Sequence, residues 1–167
     1  MVFLTSCNNK PKTSRTQDSI LVYNRVVHAF SNQKQLDTFL IVIKGKSLTE
    51  GTAELTIKDP TGNEIYFDSF PSLYLLNYDI ESDASDQDKN DFILERVNQF
   101  FKEDNFVIPP IGPSEKFDED YSDKNIWEEI KADKTAIGFY YLVGEEDGKS
   151  IAYSKKKKKA VIYFNCC

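Results

Sequence analysis

Carboxylates are the commonest chemistry-bearing side chains in this sequence, and hydrolysis by a carboxylate pair is the first activity they suggest. The 167 residues hold 27 Asp and Glu against 21 Lys and Arg. Two catalytic carboxyls must converge across a cleft at about 5–10 Å. Glu128 and Glu129 are neighbours in a helical pattern, so their side chains diverge by about 100°. Glu145, Glu146 and Asp147 crowd a single turn. Asp79, Glu81 and Asp83 alternate as the start of an EF-hand loop would. Ala84 then stands where that loop needs glycine, and Asn90 where it needs a bidentate glutamate. Asp118, Glu119 and Asp120 lack the glycine as well. These carboxylates give no catalytic set and no metal site.

The other reactive residues are few. His28 is the one histidine, which removes the usual zinc constellations. There is no Gly-x-Ser-x-Gly elbow for it to serve, so it reads as a half-buried strand histidine. Between Gly144 and Gly148 lie three residues, all acidic, where a phosphate-binding loop has four; a strand pattern follows instead of a helix. That segment reads as a hairpin tip. No cofactor is expected.

Cys7 is the residue with the most specific chemistry. Leu4-Thr5-Ser6-Cys7 places small residues ahead of a thiol, as a lipobox does: the small residues fit a signal peptidase, and the thiol forms the thioether to lipid. Asn8 to Ser19 is polar and aperiodic, a tether whose average reach is roughly 20 Å as a flexible coil. This pairing resembles the small lipoproteins of Bacteroidota-type envelopes. The resemblance covers about twenty residues and implies an address: residues 1–6 are the remnant of a signal peptide, 7–19 the lipid anchor and tether, and 20–167 one domain. It implies membrane attachment through lipid on Cys7, on the periplasmic or outer-membrane side. The remaining cysteines, Cys166 and Cys167, end the chain.

The formal charge is −6, which argues against nucleic acid as a partner. From Asp79 to Asp91 six acids face one lysine, and from Glu115 to Asp147 eleven face four. Asp83, Asp86, Asp88, Asp118, Glu119 and Asp120 are therefore the candidate contacts for a basic protein partner. Lys155 to Lys159 is the one basic block. It reads first as protection of an exposed β edge, and second as contact with an anionic surface such as lipid headgroups or an acidic protein face.

The elements that would position these groups read as an α+β fold, a mostly antiparallel sheet with two helices. Ile20 to Phe30 is strand-like, and Thr38 to Ile43 is an unbroken apolar run suited to a central strand. Thr52 to Lys58 alternates, with Ala53, Leu55 and Ile57 on one face. Asp59-Pro60-Thr61-Gly62 then turns the chain into Glu64 to Phe67, with Gly62 left-handed. Ser85 caps a helix whose stripe runs through Phe92, Ile93, Val97, Phe100 and Phe101. A short second helix, capped by Ser122 or Asp123, turns Ile126, Trp127 and Ile130 inward. Ala136 to Phe164 forms a three-stranded meander.

The function these features favour is a lipid-anchored binding module outside the cytoplasm, one version being an inhibitor or immunity-type protein. Between Phe67 and Tyr78 lie more aromatics than one small core needs. The rival is an envelope hydrolase whose site is assembled from scattered residues.

Overall fold

The computed structural model describes residues 19–81, 83–144 and 147–166. The α+β class is observed, with the strands divided between two four-stranded antiparallel sheets where the sequence suggested one. The first sheet is β1 (Ile20–Ala29), β2 (Leu36–Lys44), β3 (Thr52–Lys58) and β4 (Glu64–Pro71), in that spatial order. The second is β5 (Phe106–Val107), β6 (Gly138–Leu142), β7 (Gly148–Ser154) and β8 (Lys159–Cys166).

Period-two alternation builds the first sheet. Phe39, Ile41 and Ile43 of β2 register with Ile57, Leu55 and Ala53 of β3, and all six are fully buried. The apolar run in β2 is continuous because its other face is apolar too: Leu40 and Val42 point the opposite way. The β3–β4 turn lies where Pro60 and Gly62 put it. Gly62 has φ +90°, and the Asp59 carboxylate accepts hydrogen bonds from the N–H groups of Thr61 (2.9 Å) and Asn63 (3.0 Å).

The two sheets share one core. Phe39 meets Phe30, Phe101, Phe106 and Phe139 edge-on at centroid distances of 5.3–5.7 Å. Edge-to-face pairs of this kind add about 0.5–1.5 kcal/mol beyond the area they bury. β4 lies against β8. Helix α1 (Asp86–Gln99) packs on β1 and on the 3₁₀ turn Ser72–Leu76, and adds Ile93 and Val97 to the core. It ends two residues short of the expected stripe, so Phe100 and Phe101 enter the core from the chain just beyond it. Helix α2 (Lys124–Ala132) covers β7 and β8 from the other side, with Ile130 against Ile111, Ala152, Val161 and Tyr163. Asp123, not Ser122, is its cap, accepting from Ile126 N at 3.0 Å.

The fold has two unlike poles. Ser19 and Gly45 are joined at 3.2 Å, Ser72 N–H donates to Gly51 O at 3.0 Å, and Tyr74 packs beside Gly144. The chain therefore begins β1 at the pole that also carries the β2–β3 and β6–β7 loops. At the opposite pole Gln33 Nε2 donates to Thr135 O at 3.2 Å, and Lys155 pairs with Asp133 at 2.5 Å. The ten residues of β1 span about 30 Å between the poles. Lys155 to Lys158 form the β7–β8 turn at this far pole, and only Lys159 belongs to a strand. The lysine block is thus a hairpin tip and not a guarded edge, because four consecutive residues there leave the ladder.

Candidate functional site

The acids singled out in the sequence fall in two places. Asp86 and Asp88 occupy the first turn of α1, where the helix dipole favours negative charge. The Ser85 hydroxyl accepts from Asp88 N at 3.2 Å and donates to the Asp88 carboxylate at 2.6 Å, so Asp88 serves its own cap. Asp83 is exposed just ahead of it. Asp118, Glu119 and Asp120 are exposed on the loop before α2, where Asp118 accepts from Asp120 N at 3.0 Å. That loop is pinned to β8 through Asn165 N–H to Tyr121 O and Ser122 Oγ to Tyr163 O. One set therefore borders the first sheet and the other lies over the second, on different elements. Cys7 and Cys167 lie outside the described residues, as do Glu145 and Glu146; Cys166 is disulfide-bonded.

The remaining candidates have structural partners. Asp79 pairs with Arg96, whose guanidinium lies 5.0 Å over the Phe92 ring. Glu129 accepts from Ser154 Oγ at 2.7 Å and from Lys156 N at 3.3 Å, tying α2 to the lysine turn. His28 is stacked on Phe106 at 3.7 Å, with Nδ1 at 2.7 Å from Ala29 O and Nε2 at 3.3 Å from Glu103. Among the described residues no group of three or more His, Cys, Asp or Glu is placed to hold a metal.

Two carboxylates that the sequence left unremarked carry more of the structure. Asp37 is fully buried in β2 and accepts from the N–H groups of Phe30 (3.0 Å) and Ser31 (2.8 Å), closing the β1–β2 loop. Asp68 of β4 accepts from Tyr141 Oη and Lys149 Nζ, both at 2.7 Å, and Tyr141 Oη lies 2.5 Å from Tyr66 Oη. Burial pushes the pKa of both tyrosines far above the ordinary phenol value, reinforced by the Asp68 charge. The hydroxyls stay protonated and act as donors, so this network is a polar strut between the sheets. The sequence offered no sign of it, since its hydrogen-bonded partners lie 73 to 81 residues apart.

Among the described residues, the outer face of the first sheet exposes several large apolar side chains. By register, Tyr23, Val42, Glu54 and Ser69 form one cross-strand row, and Arg25, Leu40, Thr56 and Phe67 the next. Tyr23 is 64% exposed and Phe67 51%, with Leu21, Val27 and Leu36 also exposed on β1 and β2. A shallow groove floored by Leu36 and Leu40 runs between Arg25 and Lys58. Lys44 and Glu54 neutralise each other at 2.5 Å, and Asp59 is occupied by its own turn. Asp59 keeps its charge, so Arg25 and Lys58 leave the groove lining only one charge positive. A sheet face that mixes exposed apolar side chains with polar ones has the make-up of a protein contact surface.

The chain matches no family model, no curated protein and no solved structure.

Proposed function

We propose that this chain is a lipid-tethered interaction module of the bacterial cell envelope, held by Cys7 and binding a protein partner on the outer face of its first sheet. The observation that supports this reading most is the set of exposed apolar side chains on that face, with Tyr23 on β1 and Phe67 on β4. Arg25 and Lys58 beside the groove suit a partner whose apolar strip is flanked by acids, which would set orientation and association rate more than affinity. The acids at Asp83, Asp86 and Asp88 and at Asp118, Glu119 and Asp120 remain a separate contact for a basic partner, of the kind an inhibitor would present.

Two measurements test it. The precursor with a complete signal should take up a palmitate analogue, and Cys7→Ala should abolish the label; an unlabelled wild type discards the anchor. A partner cross-linked to the wild-type domain in envelope preparations should be lost with Tyr23→Asp/Phe67→Asp, provided the variant melts like the wild type. Retention by that variant, with loss instead on Asp83→Asn/Asp86→Asn/Asp88→Asn, would move the site to the acidic loop. A wild-type dimer that the double variant makes monomeric would show the face to be a self-contact.

A further inference from the structure

The far pole carries a projecting tip of positive charge. Ser154 of β7 registers with Lys159 of β8, and the four lysines between them reverse the chain. All five residues from Lys155 to Lys159 are exposed. The turn is held from behind. The buried Ser154 hydroxyl accepts from Lys157 N at 3.0 Å and donates to Glu129 of α2 at 2.7 Å. Glu129 also accepts from Lys156 N at 3.3 Å. Lys158 closes the turn with φ +52°. Glycine or asparagine adopts that left-handed conformation at lower cost, yet a lysine stands there.

Two carboxylates lie behind the tip. Asp133 pairs with Lys155 at 2.5 Å, and Glu129 faces the backbone of the turn. Five lysines against these two carboxylates leave three positive charges in excess. Among the described residues Lys156, Lys157, Lys158 and Lys159 have no ion-pair partner. The rest of this pole takes nothing from that excess, since Lys34, Lys58 and Lys134 stand against Asp59 and Glu64. The chain as a whole has a net charge of −6, so its acids lie elsewhere. Glu50 and Asp147 are exposed in loops of the other pole. The loop carrying Asp118, Glu119 and Asp120 is bonded through Tyr121 O to Asn165, near the end of β8. From Lys159 to Asn165 the strand covers about 20 Å, more than two screening lengths of about 8 Å in physiological salt. The acidic loops therefore do not cancel the field at the tip.

Shape and residue type select the partner. A hairpin reversal is convex, and its charges are ammonium groups on flexible stems. They lack the planar fork by which arginine fixes a discrete carboxylate or phosphate. The turn holds no aromatic ring on which a nucleic-acid base would stack. A convex set of mobile point charges fits an extended, fluid plane of negative charge, which anionic lipid headgroups present. We propose that the Lys155–Lys159 hairpin is a docking site for an anionic phospholipid membrane, seating the domain end-on with its acidic loops turned away from the lipid. This seating puts Ser19 about 30 Å from the lipid, the length of β1. The residues from Asn8 to Ser19 span roughly 40 Å when fully extended, so the docking site and a lipid on Cys7 are compatible, and neither needs the other. The outer face of the first sheet stays open to solvent in this orientation.

The test mixes the whole chain, produced without lipid, with vesicles of phosphatidylcholine alone and of equimolar phosphatidylcholine and phosphatidylglycerol, and reads co-sedimentation. Three excess charges should favour the anionic vesicles roughly a hundredfold. The preference should fade with salt, as the screening length shrinks from about 10 Å at 0.1 M to about 3 Å at 1 M. Lys156→Gln/Lys157→Gln/Lys159→Gln should keep its circular dichroism and lose the preference, while Lys156→Arg/Lys157→Arg/Lys159→Arg should bind as the wild type does. In ¹⁵N spectra a gadolinium-bearing lipid should broaden the amides of Lys156 to Lys159 and spare those of Glu50 and Asp147. Equal binding to both vesicles, no binding to either, or broadening centred on other residues would overturn the docking site. Loss of the preference on Lys10→Gln/Lys12→Gln/Arg15→Gln, with the lysine-turn variant still bound, would move the contact to the tether and overturn it as well. Binding to soluble tripolyphosphate as tight as to the vesicles would show a discrete polyanion to be the ligand and overturn the membrane assignment.

Discussion

The hydroxyl of Tyr66 on β4 lies 2.5 Å from that of Tyr141 on β6, and Tyr141 passes the contact on to Asp68 at 2.7 Å. With Lys149 on the same carboxylate, this short relay is a polar link between sheets that share an apolar core. Tyr141→Phe removes its centre and leaves two buried partners short of a bond, so it should cost roughly 1–3 kcal/mol. In a domain of this size the melting temperature should fall about 2–4 °C for each kcal/mol. An unchanged melting temperature would mean that the strut contributes nothing.

These two tyrosines and Tyr163 should together make stability fall at alkaline pH. Burial pushes the Tyr163 phenol up to about 12, and those of Tyr66 and Tyr141 are raised as well. An acid whose folded pKa lies above its unfolded value near 10 contributes stability that is fully present below pH 10. Above that, the unfolded chain releases its protons first, and stability falls by about 1.4 kcal/mol per pH unit for each such tyrosine. For Tyr163 the loss runs from about pH 10 to 12. Urea titrations from pH 9 to 11 should show the decline, and Tyr141→Phe should flatten it. A flat profile in the wild type would contradict the burial of these phenols.

Phe100 sits just beyond α1 and fills the core against Phe101, Phe139 and Tyr141. Phe100→Ala should cost roughly 3–5 kcal/mol, while Gln99→Ala, one residue earlier and exposed, should change stability by about 0.5 kcal/mol or less. Chemical denaturation of the pair decides, and similar losses at both positions would reject the burial pattern.

At Gly62 a Cβ would meet nothing within 4 Å, so space does not restrict the position. Its φ of +90° does. Gly62→Val should therefore destabilise by about 1 kcal/mol or more through backbone strain alone. A melting curve superimposable on the wild type would show that the turn relaxes without it.

What the sequence disclosed was local. The β3–β4 hairpin was legible because Ala53, Leu55 and Ile57 alternate and Pro60 and Gly62 mark the turn. The start of α1 was legible because Ser85 precedes Asp88 by three residues. The division into two sheets was not, since it rests on aromatic contacts such as Phe39 with Phe139, 100 residues apart. β5 was missed because two residues carry no period. Asp37 and Asp68 escaped notice because a lone carboxylate in a strand pattern reads as a solvated face. Only the fold brings the loop amides to Asp37, and Tyr141 and Lys149 to Asp68. The acidic runs were visible from composition, but composition does not say that α1 and α2 carry them to different sides.

Ser19 leads directly into β1, an edge strand whose ladder partner is β2. A pull on Ser19 that runs along β1 and is opposed at the far pole loads its ladder in shear. The hydrogen bonds from Ile20 to Ala29 share the force together, instead of opening one at a time as a peeled edge would. A domain joined to its support at this point resists extraction with its whole first strand pair, and its first mechanical failure should be β1 sliding past β2 with the second sheet still folded.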